Sequence, residues 1–216
     1  MKTRIGFVSL ASFALCVALV AVPAAAQVVY SNGPINGNTD AWTINFGFVT
    51  SDSFTVANNT TLTGANFGIF LFPGDTLTSA ELSITSSENG GTSYFDQTVN
   101  FVAQSCSVNQ FQDFNVCNES TAFNGPTLSA GTYWINLQNA VSTVGDPVFW
   151  DENSGPSAAS QNGVGSIPSE SFTLLGSSTS TTSTTSTTGT VPEPSSILLL
   201  GSGILALAQV VRRRLS

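Results

Sequence analysis

Residues Trp150-Asp151-Glu152-Asn153 place an aromatic ring, two carboxyls and an amide in four consecutive positions. Such a set suits a sugar: the ring face stacks on a pyranose while the polar groups read its hydroxyls, the usual mix of a ligand site. Trp134 is a second such aromatic, in opposite phase to Tyr133 and Ile135. The competing assignment for both tryptophans is the core, where large aromatics generally pack. Carboxyls also act in pairs, and two of them cleave glycosidic bonds without histidine. Asp146, Asp151, Glu152 and Glu170 are the acids that could be so paired, but their spacing sets no two across a cleft. No Gly-x-Ser-x-Gly elbow occurs, and Gly163-Val164-Gly165 lacks the rest of a nucleotide loop. No catalytic residue is expected, and no enzymatic activity.

Calcium takes oxygen ligands from Asp, Asn and backbone carbonyls. Asn36-Gly37-Asn38-Thr39-Asp40 and Asp151-Glu152-Asn153 supply these types without the full spacing of a calcium loop. The sequence therefore implies no metal site and no required cofactor, Ca²⁺ being the one ion its composition suits.

Charge excludes more than motifs do. The five basic residues are Lys2, Arg4, Arg212, Arg213 and Arg214, all thirteen acids lie between Asp40 and Glu193, and there is no histidine. The part between the basic ends is thus −13 (0 bases minus 13 acids) against −8 for the whole chain. Without Lys or Arg it has no phosphate clamp and no attraction for a nucleic-acid backbone. Without His it has no Ser–His or Cys–His nucleophile and lacks the commonest zinc ligand. An anionic glycan would be repelled, so a neutral exopolysaccharide, or one bridged by Ca²⁺, is the acceptable glycan partner.

Both ends are addressed to membranes. Lys2 and Arg4 precede an apolar run from Ile5 to Val22, then Pro23 and Ala24-Ala25-Ala26. This is a secretory signal peptide over residues 1–26, cut by signal peptidase between Ala26 and Gln27. Export settles the cysteines: Cys106 and Cys117 are the only two beyond the leader, and a disulfide between them is expected in an oxidising space.

Positioning falls to strands. Residues 27–176 are enough for one domain core. Alternation puts Trp42, Ile44, Phe46 and Phe48 on one face, Ala80, Leu82 and Ile84 on another, and Tyr133, Ile135 and Leu137 on a third. Phe67-Gly68-Ile69-Phe70-Leu71-Phe72 is apolar on both sides and reads as a central, doubly covered strand. Turns at Pro73-Gly74-Asp75, Asn89-Gly90-Gly91, Asn124-Gly125-Pro126 and Ala130-Gly131 separate the runs. The fold class is all-β, an antiparallel sandwich of jelly-roll type. Asp151 to Glu170 reads as one long Gly/Pro/Ser/Asn-rich loop, and residues 177–190 as a flexible Ser/Thr stalk.

Residues 191–216 close the chain with Val191-Pro192-Glu193-Pro194, an apolar run over 197–211 and Arg212-Arg213-Arg214. The run is near the lower limit for a transmembrane helix, and the arginines hold its end in the cytoplasm. Proline keeps the preceding segment extended at the membrane surface. The V-P-E-P-S motif, helix and basic end, in that order, resemble the PEP-CTERM sorting signals of Gram-negative bacteria. The resemblance implies an exosortase as partner, with Pro192, Glu193 and Pro194 recognised. It implies transient anchoring in the inner membrane, then delivery to the cell surface or extracellular matrix. NFGIFLFPGDTLTSAELSI and LSAGTYWINLQNA are similar to the choice-of-anchor β modules that precede such signals. Together these imply a non-enzymatic protein with a structural or adhesive role in the envelope or exopolysaccharide matrix. The alternatives are a lectin-like module and a carboxylate-dependent glycosidase.

Overall fold

Alternation becomes strand wherever every second side chain reaches a shared interior. The structure, a computed structural model, describes residues 26–37, 40–109 and 112–179. The leader up to residue 25, the stalk beyond residue 179, Pro192-Glu193-Pro194, the 197–211 run and Arg212-Arg213-Arg214 lie outside the described residues.

Among the described residues fifteen strands follow in order: β1 (Gln27–Ser31), β2 (Ala41–Thr43), β3 (Val49–Val56), β4 (Asn59–Leu71), β5 (Leu77–Ser87), β6 (Gly90–Asn100), β7 (Val102–Val108), β8 (Asn115–Ala122), β9 (Thr127–Leu128), β10 (Gly131–Ser142), β11 (Phe149–Asn153), β12 (Ala159–Gln161), β13 (Gly165–Ile167), β14 (Ser169–Glu170) and β15 (Phe172–Thr179). They form two antiparallel sheets. The six-stranded sheet runs β13-β12-β3-β10-β5-β6. The nine-stranded one runs β1-β15-β4-β11-β14, with β8 and β9 also on β4, β7 on β8 and β2 on β11. The first residue of β1 is Gln27, so the expected cleavage point falls where the paired fold begins.

The inner faces share one core. Phe54, Leu82, Ile84, Ile135 and Leu137 come from the six-stranded sheet, and Leu62, Phe67, Ile69, Trp150, Phe172 and Leu174 from the other. Burying each large side chain contributes about 1.5–3 kcal/mol. β4 is central and covered on both faces, as its unbroken apolar run requires. Phe67 and Ile69 face the core, while Phe70 meets Phe114 edge-on at 5.9 Å on the other side. A Cβ on Gly68 would lie 2.9 Å from both Asp151 Cβ and Ile35 Cγ1, so the chain crosses β4 too closely for any side chain there.

Three expectations are corrected. The 41–48 alternation stops after Thr43: Phe46 and Gly47 turn the backbone at φ 55° and 88°, leaving Phe46 65% and Phe48 40% exposed. The cause is buried Asn45, whose amide donates to Asp146 O (3.1 Å) and accepts from Val148 N (3.3 Å). Asp151 to Glu170 is no structureless loop; β12, β13 and β14 lie within it, and β12 pairs with β3 through small residues. The last strand outruns the domain boundary at 176, because Ser177, Ser178 and Thr179 pair with Thr61, Thr60 and Asn59. Backbone pairing needs no apolar side chain.

Cys106 and Cys117 face each other across β7 and β8 and form a disulfide of 2.04 Å. Among the described residues β7 pairs with β8 alone. A bridge closing so short a segment typically stabilises by about 3 kcal/mol.

Trp150 is fully buried, edge-on to Phe67 (5.3 Å) and Phe172 (5.7 Å), and its Nε1 donates to Ser171 O at 2.9 Å. Trp150→Ala should cost about 3–5 kcal/mol in urea unfolding, through the cavity and the stranded carbonyl. Trp134→Ala, on an outer face, should cost under about 1 kcal/mol. Equal costs would contradict this core. Glu119 on β8 is also buried, with Oε2 unpartnered, and burial pushes its carboxyl up to about 7. A raised carboxyl binds protons more tightly when native, so its stabilising contribution is present at low pH and is lost as pH rises toward 7. Glu119→Gln should therefore gain on the parent at pH 8 by on the order of 3 kcal/mol, and not at pH 4.5. Parallel thermal curves at both pH values would refute this.

Candidate functional site

β11 lies between β4 and β14 and delivers the Trp150–Asn153 set to one end of the sandwich. Strand alternation then splits the set. The Trp150 ring is core, so its face is closed to any sugar. Asp151 points to the opposite face, fully buried, with Oδ2 accepting from Asn36 N at 3.0 Å. Glu152 is half-buried, and its Oε2 accepts from Trp42 Nε1 at 2.9 Å. Asn153 Nδ2 donates to Asn32 O (2.8 Å) and its Oδ1 accepts from Gly155 N (2.8 Å), tying the end of β1 to the chain after β11. The four residues are joined in sequence but form no single binding surface.

Beneath them lies a polar interior that sequence reading missed. Asn32 Nδ2 is within hydrogen-bond distance of Asp52 Oδ2 (3.1 Å), Ser157 Oγ (2.7 Å), Ser169 Oγ (2.6 Å) and Glu170 O (2.6 Å). Its two protons can serve two of these at a time. Asp52 Oδ2 also accepts Glu170 N at 2.6 Å, so a side chain of the six-stranded sheet holds the backbone of the other sheet. The signal was present in the alternation Asp52, Phe54, Val56, which places an acid on an apolar face.

Burial pushes Asp52 up to about 7, against hydrogen bonds from Ser157, Glu170, Ser53 and Ser169. Burial likewise raises Asp151 to about 6, against the Asn36 and Gly37 amides and with Glu152 adding to the rise. Glu170 is held well above the ordinary carboxylate range by burial, then by Asp52, Glu152 and Asp151. Asp151 and Glu170 have no solvent-exposed surface, so neither reaches a glycosidic oxygen. Among the described residues no group of three or more His, Cys, Asp or Glu is gathered to hold a metal.

The outer face of the six-stranded sheet differs. Trp134, Asn136 and Gln138 alternate outward along β10, the complement of the core set Tyr133, Ile135 and Leu137. Asn136 Nδ2 donates to Thr85 Oγ1 (2.9 Å) and Ser83 Oγ (3.1 Å), and Gln138 Nε2 to Glu81 Oε1 (2.6 Å). Asn89, at φ 51°, folds over this face: its N donates to Ser51 Oγ (2.9 Å) and its Nδ2 to Ser160 Oγ (2.9 Å). A groove of about 230 Å³ remains, lined by Ser83, Thr85, Asn89, Asp96, Asn136 and Gln138 among others. Burial, then the neighbouring Glu81 carboxyl, raises Asp96 above its usual range. Trp134 lies two positions along the strand, opposite Thr85, half-buried. Trp42 and Trp150 each donate their indole N–H to the protein.

No curated protein matches the chain. Residues 190–214 match the family model described as the PEP-CTERM protein-sorting motif. The matched span contains Pro192, Glu193, Pro194 and all three terminal-region arginines. The motif marks an exported, surface-sorted protein and implies processing by an exosortase. What the structure describes is an all-β body ahead of that motif, and the chain carries at residues 190–214 a PEP-CTERM sorting signal.

Proposed function

We propose that the sandwich is a non-enzymatic adhesive or structural module, delivered to the envelope or exopolysaccharide matrix of a Gram-negative bacterium. The observation that carries the reading is the outer face of the six-stranded sheet. There Trp134, half-buried and outside the aromatic pairs among the described residues, adjoins a groove of amides and hydroxyls with one carboxyl, Asp96. An indole face beside hydrogen-bonding amides fits the ring and hydroxyls of a neutral sugar. The body's negative charge supports a neutral glycan over an anionic one.

Two experiments test this. Glycan-array binding by the exported protein should favour neutral polysaccharides and fall at least about fivefold in Trp134→Ala, with the fold unchanged. A glycosidase panel should show no turnover. Binding unaffected by Trp134→Ala would remove the proposed face, and turnover would replace the adhesive reading with an enzymatic one. For sorting, replacing Pro192, Glu193 and Pro194 by alanine should abolish the loss of mass on processing; unchanged processing would refute recognition through these residues.

A further inference from the structure

One interior corner holds acids that the proposed function does not use. β11 and β14 pair with Glu152 directly opposite Glu170. Opposed residues project to the same side, with Cβ atoms about 4.5–5.5 Å apart, and like charges so placed repel. Glu170 is fully buried and neither of its oxygens has a hydrogen-bond partner. Asp52 reaches this corner from the other sheet, bonded through Oδ2 to the Glu170 amide, its Oδ1 buried and unpartnered. Glu152 is half-buried and forms the boundary with solvent, its Oε2 fixed by Trp42 Nε1 at 2.9 Å.

An unpaired carboxylate in such a place costs several kcal/mol unless something neutralises it. The usual remedy is closed to this domain, because residues 27–179 contain no Lys, Arg or His. The counter-charge has to be imported. We propose that Glu170 and Glu152 bind a Ca²⁺ ion that bridges β11 and β14 at the end of the sandwich. All available ligands are hard oxygens, which favours calcium, and the absence of His and of a free Cys in this region removes the ligands zinc prefers. No three acids here gather into one chelating group. The ion therefore takes two carboxylates, with neutral protein oxygens and water completing a shell that calcium accepts at six to eight ligands. Asp52 is a positioning residue: it holds the backbone of Glu170.

The test uses the full exported protein, stripped with a chelator and titrated with Tb³⁺ under tryptophan excitation. Trp42 touches Glu152, so bound Tb³⁺ should show sensitised emission that Ca²⁺ competes away, with a calcium Kd in the range of about 10⁻⁴–10⁻³ M found for extracellular modules. Glu170→Gln should weaken Ca²⁺ at least tenfold while staying folded in metal-free buffer, where loss of the repulsion raises its Tm. Glu152→Gln, at a less buried position, should weaken it similarly. Trp42→Phe should retain calorimetric binding and lower the emission, leaving the part that Trp150, its partner across β2 and β11, still sensitises. Emission that Ca²⁺ does not displace, or Ca²⁺ affinity unchanged in both glutamine variants, would overturn the site. So would a parent Tm indifferent to Ca²⁺ at pH 7.5, since a proton would then be the neutralising ion.

Discussion

A folded body without one Lys, Arg or His has no internal counter-charge for its carboxylates, and this constraint runs through the structure. Asp75 shows the neutral solution. Its Oδ1 accepts from Thr143 Oγ1 (2.7 Å), Thr76 N (2.8 Å) and Val144 N (3.0 Å). Burial alone would raise its carboxyl, yet these donors and Ser142 pull it to about 2. Glu119 shows the opposite solution, a carboxyl that burial keeps protonated through mildly acidic pH. The interior corner under β11 and β14 leaves both oxygens of Glu170 and one of Asp52 without a donor, and there the constraint is most acute.

The same constraint shapes the polar interior. In most domains a buried acid is answered by an arginine; here amides and hydroxyls take the place. Asn32, Asn45, Asn136 and Asn153 each connect segments far apart in sequence, and each is nearly or fully buried. A buried amide must be satisfied, since a missing partner costs about 1–3 kcal/mol. The sandwich is therefore fixed by these neutral networks and, in its core, by the aromatic cluster of Phe67, Trp150 and Phe172.

These amides also explain what the sequence could and could not reveal. β4, β5 and β10 were legible because their apolar residues recur with the period of a strand and reach one core. The sorting motif was legible because its order is unusual. Phe46 and Phe48 misled because alternation says nothing about Asn45, whose bonds to Asp146 and Val148 bend the chain. The strands within 151–170 were hidden because Ala159 and Ser160 pair through backbone against β3, with little apolar signal. Trp150 and Trp134 could not be separated from sequence: each neighbours another aromatic, and only the strand's orientation decides which ring faces inward. Asp52 and Glu170 stand 118 positions apart, so no local pattern joins them.

The central claim, that the buried acids lack protein counter-charges and are neutralised by what they bind from solution, can be read as a proton count. The exported protein, freed of divalent ions, would be unfolded by denaturant at pH 6 in a weakly buffered pH-stat. Asp52 and Glu119 rise to about 7 and burial also holds Glu170 well above the ordinary carboxylate range, so the native state holds protons that the unfolded chain cannot keep. The account predicts a net release of roughly three protons per chain on unfolding. No release, or net uptake, would mean that these carboxylates are already ionised in the native fold, and would contradict it.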